Sequence, residues 1–353
     1  MTPAQSPRPR SALEGFAPYE WELSTEVIAA RLGRDPSEIV RFDANTVPWR
    51  LPQSPPSIAG VNEYPDTSYS LLVSALSAYC HQPADRIVVG AGADELISLV
   101  AQAYLDGSRT FAVSDPTYSM FVISSQLTGA RPLRVPCGDD LGLDHQRFAA
   151  AVRSADVSWL ANPSNPTGEL LTQARVREIA SVARGLLVVD EAYAEFVDSS
   201  SLEWIDEVRN VAVIRTLSKA FGLAGARVGY LVAGPEVVAA LNLVRPVSSI
   251  AVTSAALAVD ALDRAGEMRA SVRGLIVERA RLAAALRRSG RRVIEGSANF
   301  VLAEAAPADV DRALSAGLVM RTYGEGHRLQ GLCRVTVRSP SENDRLLAAW
   351  QHT

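Results

Sequence analysis

Lysine occurs once in this chain, at position 219, although 35 of its residues are basic. Arginine fills every other cationic position, so the single amine stands out chemically. A guanidinium stays protonated at any accessible pH, whereas a lysine amine can lose its proton and attack a carbonyl. Composition alone leaves open whether Lys219 survives by accident; its neighbours decide. It closes the run Arg215-Thr216-Leu217-Ser218-Lys219, which follows the apolar stretch Val211–Ile214, and Arg227 lies farther on. The hydroxyls of Thr216 and Ser218 can donate to a phosphate, and the forked donors of Arg227 can hold it. An amine so placed can reach the aldehyde of a phosphate-anchored cofactor.

Two other segments could share that chemistry. Gly90-Ala91-Gly92-Ala93-Asp94-Glu95 follows the apolar run Ile87–Val89 and opens a helical pattern. Small residues let backbone N–H groups close on a phosphate, and a helix N-terminus favours the anion. Glu95 stands where a dinucleotide fingerprint needs its third glycine, so a dinucleotide is disfavoured, while a plain strand-to-helix turn stays open. Leu187-Val188-Val189-Asp190-Glu191-Ala192-Tyr193 puts a carboxylate at the end of an apolar strand and a phenol one turn later. A buried carboxylate needs a cation beside it. The pyridinium nitrogen of pyridoxal phosphate would be such a cation, although Asp190 could instead cap a helix.

These segments need a scaffold. Ile87–Val89, Phe111–Val113, Ser158–Leu160, Leu186–Val189 and Val211–Ile214 read as short apolar strands. Between them, 94–104 and 173–183 carry apolar residues at helical spacing. Alternating strands and helices predict a largely parallel sheet covered on both faces, with ligands at the carboxyl ends of its strands. Farther on, 268–288 reads as a long arginine-rich helix, and 299–303 and 333–337 as strands flanking a helical pattern at 308–316. We expect an N-terminal arm with part of a small domain at 1–44, a large domain at 45–246 and a small α/β domain at 247–353. A net charge of -4 gives no electrostatic reason to expect nucleic acid or a membrane surface as partner. No apolar run reaches the roughly 20 residues of a spanning helix. Cys80, Cys137 and Cys333 are scattered, which fits packing roles in a reducing cytoplasm and no metal site.

With these segments in order, the chain resembles the fold-type I, class II aminotransferases that use pyridoxal phosphate. Ser218-Lys219-Ala220-Phe221-Gly222-Leu223-Ala224-Gly225-Ala226-Arg227-Val228-Gly229 is similar to their lysine motif, and Asn162-Pro163-Ser164-Asn165-Pro166-Thr167-Gly168 to their asparagine loop. Asp190-Glu191-Ala192-Tyr193 is similar to their aspartate motif. Tyr64-Pro65-Asp66, Asp115-Pro116-Thr117-Tyr118 and Cys333-Arg334-Val335-Thr336-Val337 extend the resemblance over almost the whole chain. Among subfamilies it is most similar to the histidinol-phosphate aminotransferases of histidine biosynthesis. The resemblance implies an α/β fold, with a mostly parallel seven-stranded sheet in the large domain. It implies that Lys219 forms a Schiff base with pyridoxal phosphate and shuttles a proton at the substrate α-carbon. Asp190 would pair with the ring nitrogen, Asn165 and Tyr193 would bond the ring's phenolate oxygen, and Tyr118 would stack on the ring. Ala93, Asp94, Ser218 and Arg227 would hold the phosphate, joined by Tyr64 of a second copy, which implies a homodimer with shared sites. Arg334, Arg321, Tyr19 and Asn45 would bind the substrate, an amine donor or a 2-oxo acid. Tyr19 could equally pack within the arm, and Arg321 could pair with a surface acid.

Two departures bear on the substrate. Asp43-Ala44-Asn45-Thr46-Val47-Pro48 lacks the acid that the histidinol-phosphate enzymes usually carry after the asparagine. Arg338 stands where they typically have glycine, so an added cation beside Arg334 could strengthen phosphate binding or select another acid. The leading expectation is amino transfer from histidinol phosphate to 2-oxoglutarate. An aromatic amino acid aminotransferase and a threonine-phosphate decarboxylase would use the same cofactor residues. A cofactor-sensing transcription regulator would need an added DNA-binding domain, for which the forty or so residues before the motifs leave no room. His81, His145, His327 and His352 match no motif and are expected to face solvent, and Glu191 is expected to be structural.

Overall fold

The computed structural model describes residues 22–51 and 60–351, together with residues 10, 13 and 16. Its centre is a seven-stranded sheet. The strands run in the order Ile87–Gly90, Gly229–Ala233, Val211–Thr216, Leu186–Asp190, Val157–Ala161, Thr110–Asp115 and Arg131–Pro136. Gly229–Ala233 is antiparallel to both neighbours, and the pairings among the five strands beyond it are parallel. The expected mostly parallel sheet is therefore present. Its central strands are apolar on both faces because helices cover both; every residue of Leu186–Asp190 and Val211–Thr216 is buried. Burying each such Val, Leu or Ile is worth about 1.5–3 kcal/mol.

The five strands expected for this sheet all form, and two more join them. Arg131–Pro136 carries two prolines and two arginines, a composition tolerated at the sheet edge, where one side needs no partner. Gly229–Ala233 begins inside the lysine motif. A Cβ at Gly229 would lie 2.7 Å from the Gly92 backbone, so this crossing requires glycine. The helices Ala93–Tyr104, Gln173–Val182 and Ala265–Arg288 occupy the segments with helical spacing.

A second, four-stranded sheet is antiparallel, ordered Arg321–Thr322, Leu332–Thr336, Phe300–Glu304 and Val293–Glu295. Val40–Arg41 pairs in parallel with Leu318–Val319. Among the described residues no helix is long and apolar enough to cross a membrane, and no cluster of metal-ligating side chains occurs.

Beneath the carboxyl ends of two central strands lies a buried ion pair. Arg215 donates through Nε and Nη2 to Glu191 Oε2, at 3.1 and 2.8 Å, and Nη2 also reaches Ser200. The Ser201 N–H donates to Glu191 Oε1. Glu191 thus has the structural place expected of it, tying the strand that carries Asp190 to the strand that leads to Lys219.

Candidate active site

The carboxyl ends of Val157–Ala161, Leu186–Asp190 and Val211–Thr216 open on a cavity of about 270 Å³. Ala93, Asp94, Tyr118, Asn165, Asp190, Tyr193, Ser218, Lys219 and Arg227 line it, so nine residues singled out from the sequence converge on one space. Thr216 and Ser218 stand at one end, their hydroxyls 2.9 Å apart. Beside them, Gly92 adopts φ +82, and a Cβ there would meet the Arg227 guanidinium at 2.6 Å. Arg227 is itself left-handed, at φ 54, a conformation that costs a non-glycine residue energy and is concentrated at functional sites. Its Nη2 donates to Asp94 Oδ2 at 3.0 Å, and the Tyr118 hydroxyl donates to Asp94 Oδ1 at 2.7 Å. The Asp94 carboxylate would repel a phosphate, so what Ala93 and Asp94 offer an anion is backbone N–H at the start of the helix Ala93–Tyr104.

Deeper in, Asp190 is buried and accepts a single hydrogen bond, from the Ala192 N–H at 3.0 Å; among the described residues no cation forms an ion pair with it. Burial pushes its carboxyl up to about 7. Lys219 is half-buried, and burial, reinforced by the charge on Arg334, pulls its amine down to about 8. Its Nζ stands 5.7 Å from the centre of the Tyr193 ring. Tyr193 is held edge-on by Phe300, and its hydroxyl accepts from Asn45 Nδ2 at 2.9 Å. Burial raises that phenol to about 12, so it keeps its proton and can donate it.

A second compartment, of about 300 Å³, shares Ala44, Tyr118, Asn165 and Lys219 with the first. Asn45, Arg321 and Arg334 line it. Arg334 donates to Asn165 Oδ1 at 2.7 Å and to the Asp43 carbonyl at 2.6 Å, and it sits over the Phe300 ring. Asn45 is buried, with Thr336 donating to its Oδ1 at 3.2 Å. The side chain of Asn45 is thus shared between Tyr193 and Thr336.

Some expected residues fall elsewhere. Tyr64 lies outside both compartments and is 90% exposed, while Tyr19 and His352 lie outside the described residues. Arg338 is turned away from Arg334's compartment. Its guanidinium binds Glu342 at 2.9 Å and the Thr46 carbonyl at 3.3 Å, because Glu342 also closes the capping box of the helix Pro340–Trp350. The added cation therefore serves a helix start and not the ligand space. Arg321 does have an acid nearby, Glu22 at 3.8 Å. His81 is exposed as expected, but His145 is half-buried with its Nδ1 unpartnered. His327 is exposed and yet lines the second compartment, stacked on Tyr323 at 4.7 Å. Glu22, Tyr323 and His327 were not found from the sequence. Nothing in their local spacing marks them, since only the fold brings 22 and 321–327 together.

Residues 55–349 match the family model for aminotransferase class I and II. A histidinol-phosphate aminotransferase of Caldanaerobacter subterraneus subsp. tengcongensis is 36% identical over 321 residues, covering 88% of this chain and 91% of that protein. An aromatic amino acid aminotransferase of Rhodococcus erythropolis is 34% identical, covering 83% and 82%. The crystal structure of histidinol-phosphate aminotransferase from Sinorhizobium meliloti in complex with pyridoxal-5'-phosphate superposes with a TM-score of 0.87 at 26% identity, covering 99% and 98%. The first cavity fits that cofactor on its own chemistry. A buried carboxylate with no ion-pair partner among the described residues, an amine of depressed basicity and a helix start after Gly92 with an arginine against it answer its ring nitrogen, aldehyde and phosphate. The chain therefore belongs to the class I and II aminotransferases, enzymes that work with pyridoxal phosphate.

Proposed function

We propose that the protein transfers the amino group of histidinol phosphate to 2-oxoglutarate, as a step of histidine biosynthesis. When bound, pyridoxal phosphate supplies a ring that draws electrons from the donor's α-carbon. Lys219 would hold the cofactor through Nζ until the donor's own amine displaces it, and the freed Nζ, pulled down to about 8, would then take the proton from the α-carbon. Asp190 is the counter-charge that keeps the ring nitrogen protonated. Tyr193, which keeps its proton, would donate a hydrogen bond to the phenolate oxygen. Asn165, its Oδ1 engaged by Arg334, donates there through Nδ2. Ser218, Arg227 and the N–H groups of Ala93 and Asp94 would hold the phosphate, and Tyr118 would pack on the ring. Asn45 keeps Tyr193 in place at the substrate's entrance.

One observation carries the substrate. Arg321 and Arg334 face each other as registered partners on adjacent antiparallel strands, at the edge of the compartment that reaches Lys219. Like charges directly opposite destabilise a sheet, so the pair fits an anion between them. The distal phosphate of histidinol phosphate and the distal carboxylate of 2-oxoglutarate are both such anions. Arg321→Ala is expected to raise KM for histidinol phosphate about 10- to 100-fold, the weight of one or two charged hydrogen bonds. KM for phenylalanine should change less than about threefold. Phenylalanine proving the far better donor in the unmutated enzyme would turn the reading to an aromatic amino acid aminotransferase. Carbon dioxide released from phosphothreonine without an oxo acid would turn it to a decarboxylase.

We also propose a homodimer with shared sites, in the cytoplasm, and domain boundaries at 45 and 247. Exposed Tyr64, with Val61 and Leu71 near it also exposed, supports the dimer. The three buried free thiols support a reducing compartment. Mixing inactive Lys219→Ala and Tyr64→Ala proteins should restore about a quarter of the sites by random pairing. No recovery after subunit exchange would count against shared sites.

A further inference from the structure

The second compartment contains a carboxylate as well as its arginines. Glu22 lines it, with Oε1 at 3.8 Å from Arg321 and Oε2 at 3.6 Å from Arg41. Its neighbour Asp43 is held differently. Arg41 grips Asp43 through Nε and Nη2, at 2.8 and 2.7 Å, leaving that carboxylate buried and fixed. Glu22 makes only the longer contacts, is partly exposed at its side chain, and lies just before the helix Thr25–Leu32. Long, partly exposed ion pairs are weak and exchangeable. Burial and the charge of Asp43 oppose the ionised form of Glu22, while Arg321, Arg334 and Arg41 favour it. Among the described residues, the carboxylate's ion pairs are with Arg321 and Arg41.

We propose that Glu22 is an internal occupant of the distal-anion site. It neutralises Arg321 when no substrate is bound and must leave that guanidinium for a substrate phosphate to take its place. The inference rests on reading this compartment as the distal-anion site. Its effect is on selection. A singly charged ligand exchanges one carboxylate for another and gains little, whereas a dianion gains a second charge against Arg334. Displacing Glu22 costs every anion about the same, so only an anion that also engages Arg334 binds tightly there.

The test is inorganic phosphate binding to the cofactor-loaded enzyme by titration calorimetry, with Glu22→Gln, Arg321→Ala and the double variant. Glu22→Gln should bind phosphate about three- to fivefold more tightly, the scale of a partly exposed ion pair. Acetate should gain by a similar factor. The gain should vanish in the Arg321→Ala background, because there is no longer a guanidinium to release. In kinetics the KM for histidinol phosphate should fall while that for phenylalanine moves less than about twofold. Unchanged or weaker phosphate binding in Glu22→Gln, with Arg321 still required in the unmutated enzyme, overturns the role of Glu22 and leaves the distal-anion site standing. If Arg321→Ala does not weaken phosphate binding, the distal-anion reading fails and this inference fails with it.

Discussion

A Lys219→Arg enzyme is expected to lose the covalent link to pyridoxal phosphate and about 10⁴-fold or more of its transamination rate. The charge survives the substitution; the chemistry does not. A guanidinium cannot shed its proton to attack an aldehyde, nor accept one from a carbon acid. In the unmutated protein the amine is pulled down to about 8 by burial and by Arg334, so half of it is neutral at a pH where an ordinary lysine is almost all charged. Attachment of added cofactor should therefore quicken with pH and level off above about 8. Borohydride reduction followed by mass spectrometry provides the readout: one cofactor mass on the unmutated chain and none on the variant. Because the chain has no second lysine, no other side-chain ammonium can stand in. A labelled Lys219→Arg chain would falsify the assignment.

The second large effect is at Asp190. Asp190→Asn should lower the rate about 10²- to 10³-fold, since removing one partner of a buried charge pair costs about 3–5 kcal/mol. Asp190→Glu, which restores the charge on a longer arm, should recover part of the loss. The cofactor-free protein should respond in the opposite sense. Folding raises this carboxyl from 3.8 to about 7, so the fold favours the neutral acid, and stability conferred at low pH is lost as pH rises between those values. At pH 8 the cofactor-free Asn variant should therefore melt at a higher temperature than the unmutated protein. A lower melting temperature for that variant would show that Asp190 is not an unpaired buried charge.

How much of this was legible beforehand differed by region. Whereas Asn165 came only from the resemblance of 162–168 to the family's asparagine loop, Asp190 and Lys219 could be read because each follows a short apolar strand, and an open sheet brings the carboxyl ends of its strands to one place. The cradle was legible from Gly90-Ala91-Gly92 for the same reason. The engagement of Asp94 by Arg227 was not, because it joins residues 133 apart through an unanticipated strand, Gly229–Ala233. Arg338 misled for a local reason: its partner Glu342 belongs to a capping box whose first residue, Ser339, follows it directly. Glu22 was invisible, one of 39 acidic residues with no periodic or motif context.

The short parallel pairing of Val40–Arg41 with Leu318–Val319 has a consequence for the order in which the molecule is made. The seven strands of the large sheet lie between residues 87 and 233, and that layer can close while the ribosome is still adding the remainder. Residues 40–41, emerging first, must wait for some 280 later residues before their partners exist. The compartment bearing Arg321 and Arg334 therefore forms last, after the lysine is already seated. A nascent chain stalled before residue 318 would hold the cofactor cavity's strands but have nowhere to receive a substrate's far end.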